Sequence, residues 1–198
     1  TASDSYRCDI GIADGKIVAL AKSLNGNATV LDATDKLVMP GGIDSHCHIE
    51  QESSMGIICA DDFASGTISA AFGGTTTIMP FAAQGKGQSL RDIINQYHAR
   101  AGPKAVIDYA FHLIIADPNE QVIGQELPAL IRDGYTSFKV YMTYERLKLD
   151  DAQMLTVLAS ARRNGAMVMV HAENHEMIQW LTQRLLECQL QHHHQLVN

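Results

Sequence analysis

Five short stretches rich in β-branched and apolar residues recur along this chain at a nearly constant interval. That interval constrains the fold more than any other feature of the sequence. The stretches cover residues 43–49, 75–80, 106–115, 136–142 and 166–172. Their centres, near His46, Ile78, Ala110, Lys139 and Met169, stand roughly 30 residues apart, the length of one strand-plus-helix unit in an eight-unit barrel of ~250 residues. Helical patterns occupy the gaps. Ser89 is placed to cap a helix whose Leu90, Ile93, Ile94 and Tyr97 share a face before Gly102-Pro103 ends it. Pro128 suits the first turn of a helix carrying Leu127, Leu130 and Ile131 and closed by Gly134. Asp150 with Gln153 reads as a capping box ahead of Met154, Leu155 and Leu158, with a stop at Asn164-Gly165. A last helix, about residues 176–186, puts Met177, Ile178, Leu181 and Leu185 on one stripe. Strands alternating with helices imply a parallel sheet. A doubly wound open sheet gives the same local pattern, but Gly41-Gly42 and Gly73-Gly74 do not form a dinucleotide fingerprint. The expectation is therefore an α/β fold, five of the eight units of a (β/α)8 barrel.

The first 40 residues have a different character. Runs at 8–12 and 16–20 flank Ala13-Asp14-Gly15, and Asp-Gly between alternating apolar runs signals a hairpin. Further strands are expected at 29–32 and 36–39, so residues 1–40 read as part of a small β-sandwich and 41–198 as the barrel. Of 198 residues 46% are hydrophobic, enough for one real core. The formal charge of -7 comes with no Lys/Arg-rich run, which argues against a nucleic-acid or anionic-membrane partner. No apolar run approaches the ~18 residues of a membrane span, and the first residues lack a signal-peptide pattern. Cys8, Cys47, Cys59 and Cys188 form no Cys-x-x-Cys pair, which fits a reducing cytoplasm.

Chemistry-bearing residues gather at the ends of the expected strands. After the break at Pro40-Gly41-Gly42, strand alternation puts Asp44, His46 and His48 on one face and Ser45, Cys47 and Ile49 on the other. Two imidazoles on one strand face can chelate a metal ion, or they can simply be surface histidines. Lys139 sits in the apolar run Ser137-Phe-Lys-Val-Tyr-Met142, and His171 in Val168-Met-Val-His-Ala-Glu-Asn174. A lysine in such a strand either reaches solvent with its long stem or is buried, where the neutral amine is favoured and can take up carbon dioxide. His112 reads as a hydrogen-bonded core histidine and His98 as a helix-surface one. Glu173 and His175 flank His171 in the loop, Asp44 is placed to orient His46 or His48, and Gln191-His-His-His-Gln195 reads as a tail beyond the last helix.

Pro-Gly-Gly-Ile-Asp-x-His-x-His, Ser-Phe-Lys-Val-Tyr-Met and Val-His-Ala-Glu-Asn together resemble the first half of the dihydropyrimidinase/hydantoinase family of cyclic amidohydrolases. The likeness runs from about Cys8 to Leu186, and the sequence from about residue 187 has no counterpart in it. The resemblance implies two zinc ions per subunit. His46 and His48 would hold the first, a carboxylated Lys139 (N6-carboxylysine) would bridge both, and His171 would hold the second. It implies hydrolysis of a cyclic amide by a hydroxide held between the metals, and a homotetramer. It also implies that Tyr144 hydrogen-bonds the substrate carbonyl and the oxyanion formed from it; read from the residues alone, Tyr144 is equally a loop aromatic closing the barrel top. Residues 50–60 and 143–149 occupy positions of loops that shape substrate preference.

The family pattern also calls for a strand-six histidine and a strand-eight aspartate, which are not found in these residues. Five units alone are expected to be poorly folded and inactive, with open sheet edges. Among related activities, dihydroorotases place an arginine soon after the His-x-His, where this chain has Ile49-Glu50-Gln51; allantoinase shares the metal logic. A non-enzymatic scaffold of the same fold would have lost metal ligands, and the four expected here are present.

Overall fold

The structure is a computed structural model that describes residues 4–52 and 56–196, with side chains as far as Cys188. The chain divides into two compact units, Thr1–Pro40 and Gly41–Asn198. In the first, β1 (Asp9–Ala13) and β2 (Lys16–Ala21) form an antiparallel hairpin. Its turn places Asp14 and Gly15 at φ 50° and 70°, the positive values a tight two-residue hairpin turn demands. The strands expected at 29–32 and 36–39 are absent, and those segments are extended coil and turn. Val30, Leu31 and Leu37 are at least 80% exposed. Apolar alternation alone does not make a strand; a ladder partner is required, and none pairs with them among the described residues.

The second unit is a curled parallel half-barrel. Its strands are β3 (Gly42–Cys47), β4 (Thr75–Ala83), β5 (Asp108–Tyr109) with β6 (His112–Ile114), β7 (Ser137–Tyr141) and β8 (Met167–His171). They lie in the order β3-β4-β6-β7-β8, and β5 continues the β6 line alongside β4. The order follows the sequence without reversal, which is barrel connectivity; a doubly wound sheet reverses at a switch point. The helices between them are α1 (Phe63–Phe72), α2 (Leu90–Ala101), α3 (Leu127–Arg132), entered through a π-helical turn at Val122–Glu126, and α4 (Asp151–Asn164); α5 (His175–Leu196) follows β8.

The caps were legible and form as expected. Ser89 Oγ accepts from Asp92 N–H, Asp150 and Gln153 make a reciprocal capping box, and Gly165 closes α4 at φ 75°. Helix α1 has a box of its own, Asp62 with Ser65, but no apolar stripe to announce it. Instead Thr67 is buried, its hydroxyl donating to Phe63 O and accepting from Val106 N–H. In α4 the buried face is Val157, Ser160 and Ala161, whereas Leu155 and Leu158 are exposed. The expected stripe was rotated, because small residues approach the sheet more closely than leucines can. Helix α5 runs on to Leu196, so the stretch Gln191–Gln195 belongs to its backbone; these residues include no Gly or Pro to stop a helix. Their side chains lie outside the described residues, as do residues 53–55 of the expected 50–60 loop.

Strand alternation divides the sheet into two chemically different faces. Cys47, Ile78, Leu113, Phe138, Val140 and Val168 belong to the outer core under the helices, with Phe63, Leu90, Ile94 and Leu130 at its centre. Truncating a fully buried phenylalanine such as Phe63 or Phe138 to alanine costs about 3–5 kcal/mol. The inner face carries a smaller cluster of Phe81, Ile114 and Tyr141 with Ala83, Leu147 and Met169 beside it. Register places Ile114, Lys139 and Met169 abreast, so Lys139 belongs to the inner face. Where β3 begins, a Cβ added to Gly41 would stand 2.1 Å from Thr76 Oγ1, so only glycine lets the strand enter there.

Candidate active site

The inner face ends at a mouth formed by the C-terminal ends of β3, β7 and β8. His46 and His48 project from the same side of β3 and meet edge to face, ring centroids 5.6 Å apart. Both rest on the Phe81 ring, at 4.7 and 5.1 Å. Gln51 Oε1 lies 2.6 Å from His48 Nδ1. An amide oxygen only accepts, so the proton is on Nδ1 and the Nε2 lone pair is free to bind a cation. His46 is held below the usual histidine range, first by desolvation and then by the neighbouring His48 and Lys139 charges, which favours the neutral ring with one nitrogen lone pair free.

Lys139 is buried in the middle of β7. Its Nζ lies 5.4 Å from the Tyr141 ring, and its charge is felt at His46. His171 stacks on the Tyr141 ring at 5.5 Å; Tyr144 closes the group, 5.1 Å from the His171 ring. Lys139 therefore stands between the β3 pair and the Tyr141–His171–Tyr144 group. Glu173 Oε2 lies 2.9 Å from His171 Nε2 and orients that ring. A cleft beyond β7 and β8 is lined by Thr143, Tyr144, Glu145, Arg146 and Glu173 among others.

Two expectations are corrected here. Asp44 does not orient an imidazole: its Oδ1 accepts from the His46 backbone N–H at 3.0 Å, a local turn that satisfies the carboxylate first. His98 is not a surface residue but half-buried, its Nε2 2.7 Å from Tyr135 O–H and its ring on Phe111; a polar side chain on a helix face can still be enclosed by aromatics from the next strand. At the start of the segment 50–60, Glu50 is tied down by Lys104, whose Nζ bonds both its oxygens at 2.9 Å and Asp62 at 3.2 Å. His112 is, as read from the sequence, a hydrogen-bonded core histidine. Its Nε2–H donates to Ser45 O at 2.9 Å and its Nδ1 meets Ser137 Oγ. Cys47 packs into the outer core, and burial pushes its thiol up to about 11.

The donors fit a metal centre in one form only. Among the described residues no three His, Cys, Asp or Glu side chains converge closely enough to hold a metal ion. The set is two imidazoles, an amine and a more distant imidazole. An ammonium offers no lone pair, whereas a carbamate on the same nitrogen offers two anionic oxygens, so the fit depends on carboxylation of Lys139.

The match to known proteins completes the picture. Residues 37–196 match the model of the amidohydrolase family. The chain belongs to that family. It is 47% identical over 190 residues to the D-hydantoinase of Geobacillus stearothermophilus, covering 94% of this chain and 40% of that one. The dihydropyrimidinase of Rattus norvegicus is 37% identical over 182 residues, covering 88% and 35%. A solved D-hydantoinase structure superposes with a TM-score of 0.89 at 41% identity, over 94% of this chain and 41% of the other. The dihydropyrimidinase structure from Brevibacillus agri gives 0.82 at 39% identity, over the same shares of the two chains. The chain thus spans about 40% of the length of the relatives it matches. Its family match extends to residue 196, past the point near residue 187 where the motif likeness ends.

Sequence reasoning missed Phe81, the shared platform under both β3 histidines, and the Thr143–His175–Glu145 contacts described below. An aromatic in register with the His-x-His was the available signal for the first. The second joins residues 32 apart and left no local signal.

Proposed function

We propose that this chain forms part of a hydrolase that opens the ring of dihydropyrimidines or hydantoins at a cyclic amide bond. The observation that carries the proposal is the row of His46 and His48, Lys139, Tyr141 and His171 along one strand-end mouth, with Tyr144 beside it, in a chain so similar to D-hydantoinases. His46, His48 and His171 would be the residues that hold two zinc ions, with carboxylated Lys139 shared between the two. When bound, the metal pair supplies a water activated at neutral pH and a Lewis acid for the amide carbonyl.

The chain's own residues supply the rest. Lys139 Nζ attacks the carbon of CO2 and releases one N–H proton to solvent, giving the carbamate. Gln51 keeps His48 in the Nδ1–H tautomer, and Glu173 holds the His171 ring. The Tyr144 hydroxyl donates to the substrate carbonyl oxygen and more strongly to the oxyanion it becomes; an oriented donor of this kind is worth about 10²–10³ in rate. The residues after His48 are Ile49, Glu50 and Gln51, with no arginine to hold a substrate carboxylate, which favours an uncharged ring over a carboxylate-bearing one. The proposal includes a cytoplasmic, tetrameric setting, and no turnover by residues 1–198 alone, because β3 and β8 are the edge strands of the sheet among the described residues.

The test is turnover of dihydrouracil, hydantoin, dihydroorotate and allantoin by the complete natural polypeptide that contains these residues, with zinc content and intact mass. Turnover of the first two, bound zinc and one added CO2 on Lys139 are expected. Exclusive turnover of allantoin or dihydroorotate would overturn the substrate assignment, and failure to retain metal would return the chain to a scaffold role.

A further inference from the structure

The geometry points to His175 as the positioning residue for Tyr144. Tyr144 has φ 68°, a left-handed conformation that is strained for a non-glycine residue and persists only when its surroundings enforce it. The enforcing contacts fall on its two chain neighbours, and both go to one imidazole. Thr143 Oγ1 lies 3.2 Å from His175 Nδ1, and Glu145 Oε1 lies 2.7 Å from His175 Nε2. A carboxylate only accepts, so Nε2–H donates to Glu145 and Nδ1 is left to accept the Thr143 hydroxyl proton. The ring is a staple closed across the residue between its two partners.

The staple is anchored from behind. His175 is the first residue of α5, and Asn174 caps that helix by accepting from Met177 N–H at 2.9 Å. The imidazole is only 9% exposed and Thr143 only 3%. In front, Lys148 bonds Glu145 at 3.1 Å and holds its carboxyl below the usual range, so the acceptor stays charged. Tyr144 O accepts from both Leu147 and Lys148 N–H at 2.8 Å, which fixes the far side of the turn. A threonine–histidine–glutamate row has the composition of a nucleophile relay. Thr143 is too enclosed to meet a substrate, so the row acts by shape. What it shapes is the direction of the Tyr144 phenol, which is 47% exposed and stands over His171.

This inference rests on the reading of Tyr144 as the oxyanion donor, and the experiment separates the two. In the complete polypeptide, His175→Ala, Tyr144→Phe and the double variant are compared by kcat and KM per folded, metal-loaded enzyme. His175→Ala is expected to lower kcat about 10- to 100-fold with KM changed less than about 3-fold, as for loss of a contact made in the transition state. In the Tyr144→Phe background the same substitution is expected to cost less than about 2-fold, because its effect passes through the phenol. An undiminished loss in that background overturns the inference while leaving Tyr144's role intact. If Tyr144→Phe alone is silent, the donor reading fails. Tryptic cleavage after exposed Arg146 then decides the staple by itself: faster cleavage in His175→Ala supports it and an unchanged rate overturns it. Glu145→Gln, which keeps the acceptor oxygen, should retain most of the rate, whereas Glu145→Ala should behave like His175→Ala. Equal effects of the two would sink the proposal even if the histidine variant folds badly.

Discussion

The two ends of the candidate site are held by different means. At β7 and β8 the ladder does the work: five consecutive pairs run from Ser137–Met167 to Tyr141–His171 without a shift, and every β7 residue is buried. At β3 the ladder with β4 slips twice, once across Ser45 and His46. The pairing resumes at Pro80, which has no N–H to give. There His112 reaches across to Ser45 O, and Phe81 supports both imidazoles from beneath. One half of the site is set by backbone and the other by side chains. The second should be the more fragile.

The largest expected effect tests the backbone-held half. Lys139→Ala in the complete polypeptide removes the proposed metal bridge, and turnover should then fall by about 10³-fold or more, since metal stabilisation of several kcal/mol would be lost. Compared in the metal-free, uncarboxylated state, its Tm should stay level or rise, because a buried amine is costly and the strand does not need it. A large drop in Tm would break the contrast. On the side-chain-held half, Phe81→Ala should cost about 3–5 kcal/mol in denaturant titration and loosen metal binding as well, whereas Phe138→Ala in the outer core should cost as much stability with metal affinity preserved. His112→Leu leaves Ser45 O unpaired, for about 1–3 kcal/mol, and should weaken zinc binding about 10- to 100-fold. His112→Gln, which can still donate from the Nε2 position, should recover most of it; equal loss in both would show that β3 is not positioned through this bond.

The smallest effect concerns the loop that follows β3. Asp62 is held below the ordinary aspartate value of 3.8, first by the Ser65 N–H and then by Lys104. A depressed carboxylate stabilises the fold above its unfolded value, and that contribution is lost as pH falls from about 3.8 through the folded value. Asp62→Asn should therefore flatten the acid limb of the stability curve just below pH 4 and lower stability slightly at neutral pH, where the carboxylate's contribution is fully present. An identical acid limb in both proteins would remove the carboxylate from the account.

This division also explains what could be read beforehand. The strands, the caps at Ser89 and Asp150, and the inward direction of Lys139 follow from spacing and alternation, which are local. So does the placing of His46 and His48 on one face of β3. The strands expected at 29–32 and 36–39 failed because pairing is non-local, and His98 was misplaced because its enclosing tyrosines come from other elements. Thr67 at the centre of α1 is polar by type and buried by circumstance, so no periodicity marked that helix. Phe81 and His175 act across the sheet or between loops, where sequence distance hides the contact.

Cys47 sits between the two β3 histidines in sequence and behind them in space. Its thiol is shielded only while β3 lies flat on the outer core, and that is the strand with the irregular ladder. Modification of Cys47 by a small alkylating reagent therefore times the lifting of this strand. The protein carries its own clock for how often the two imidazoles let go of their platform.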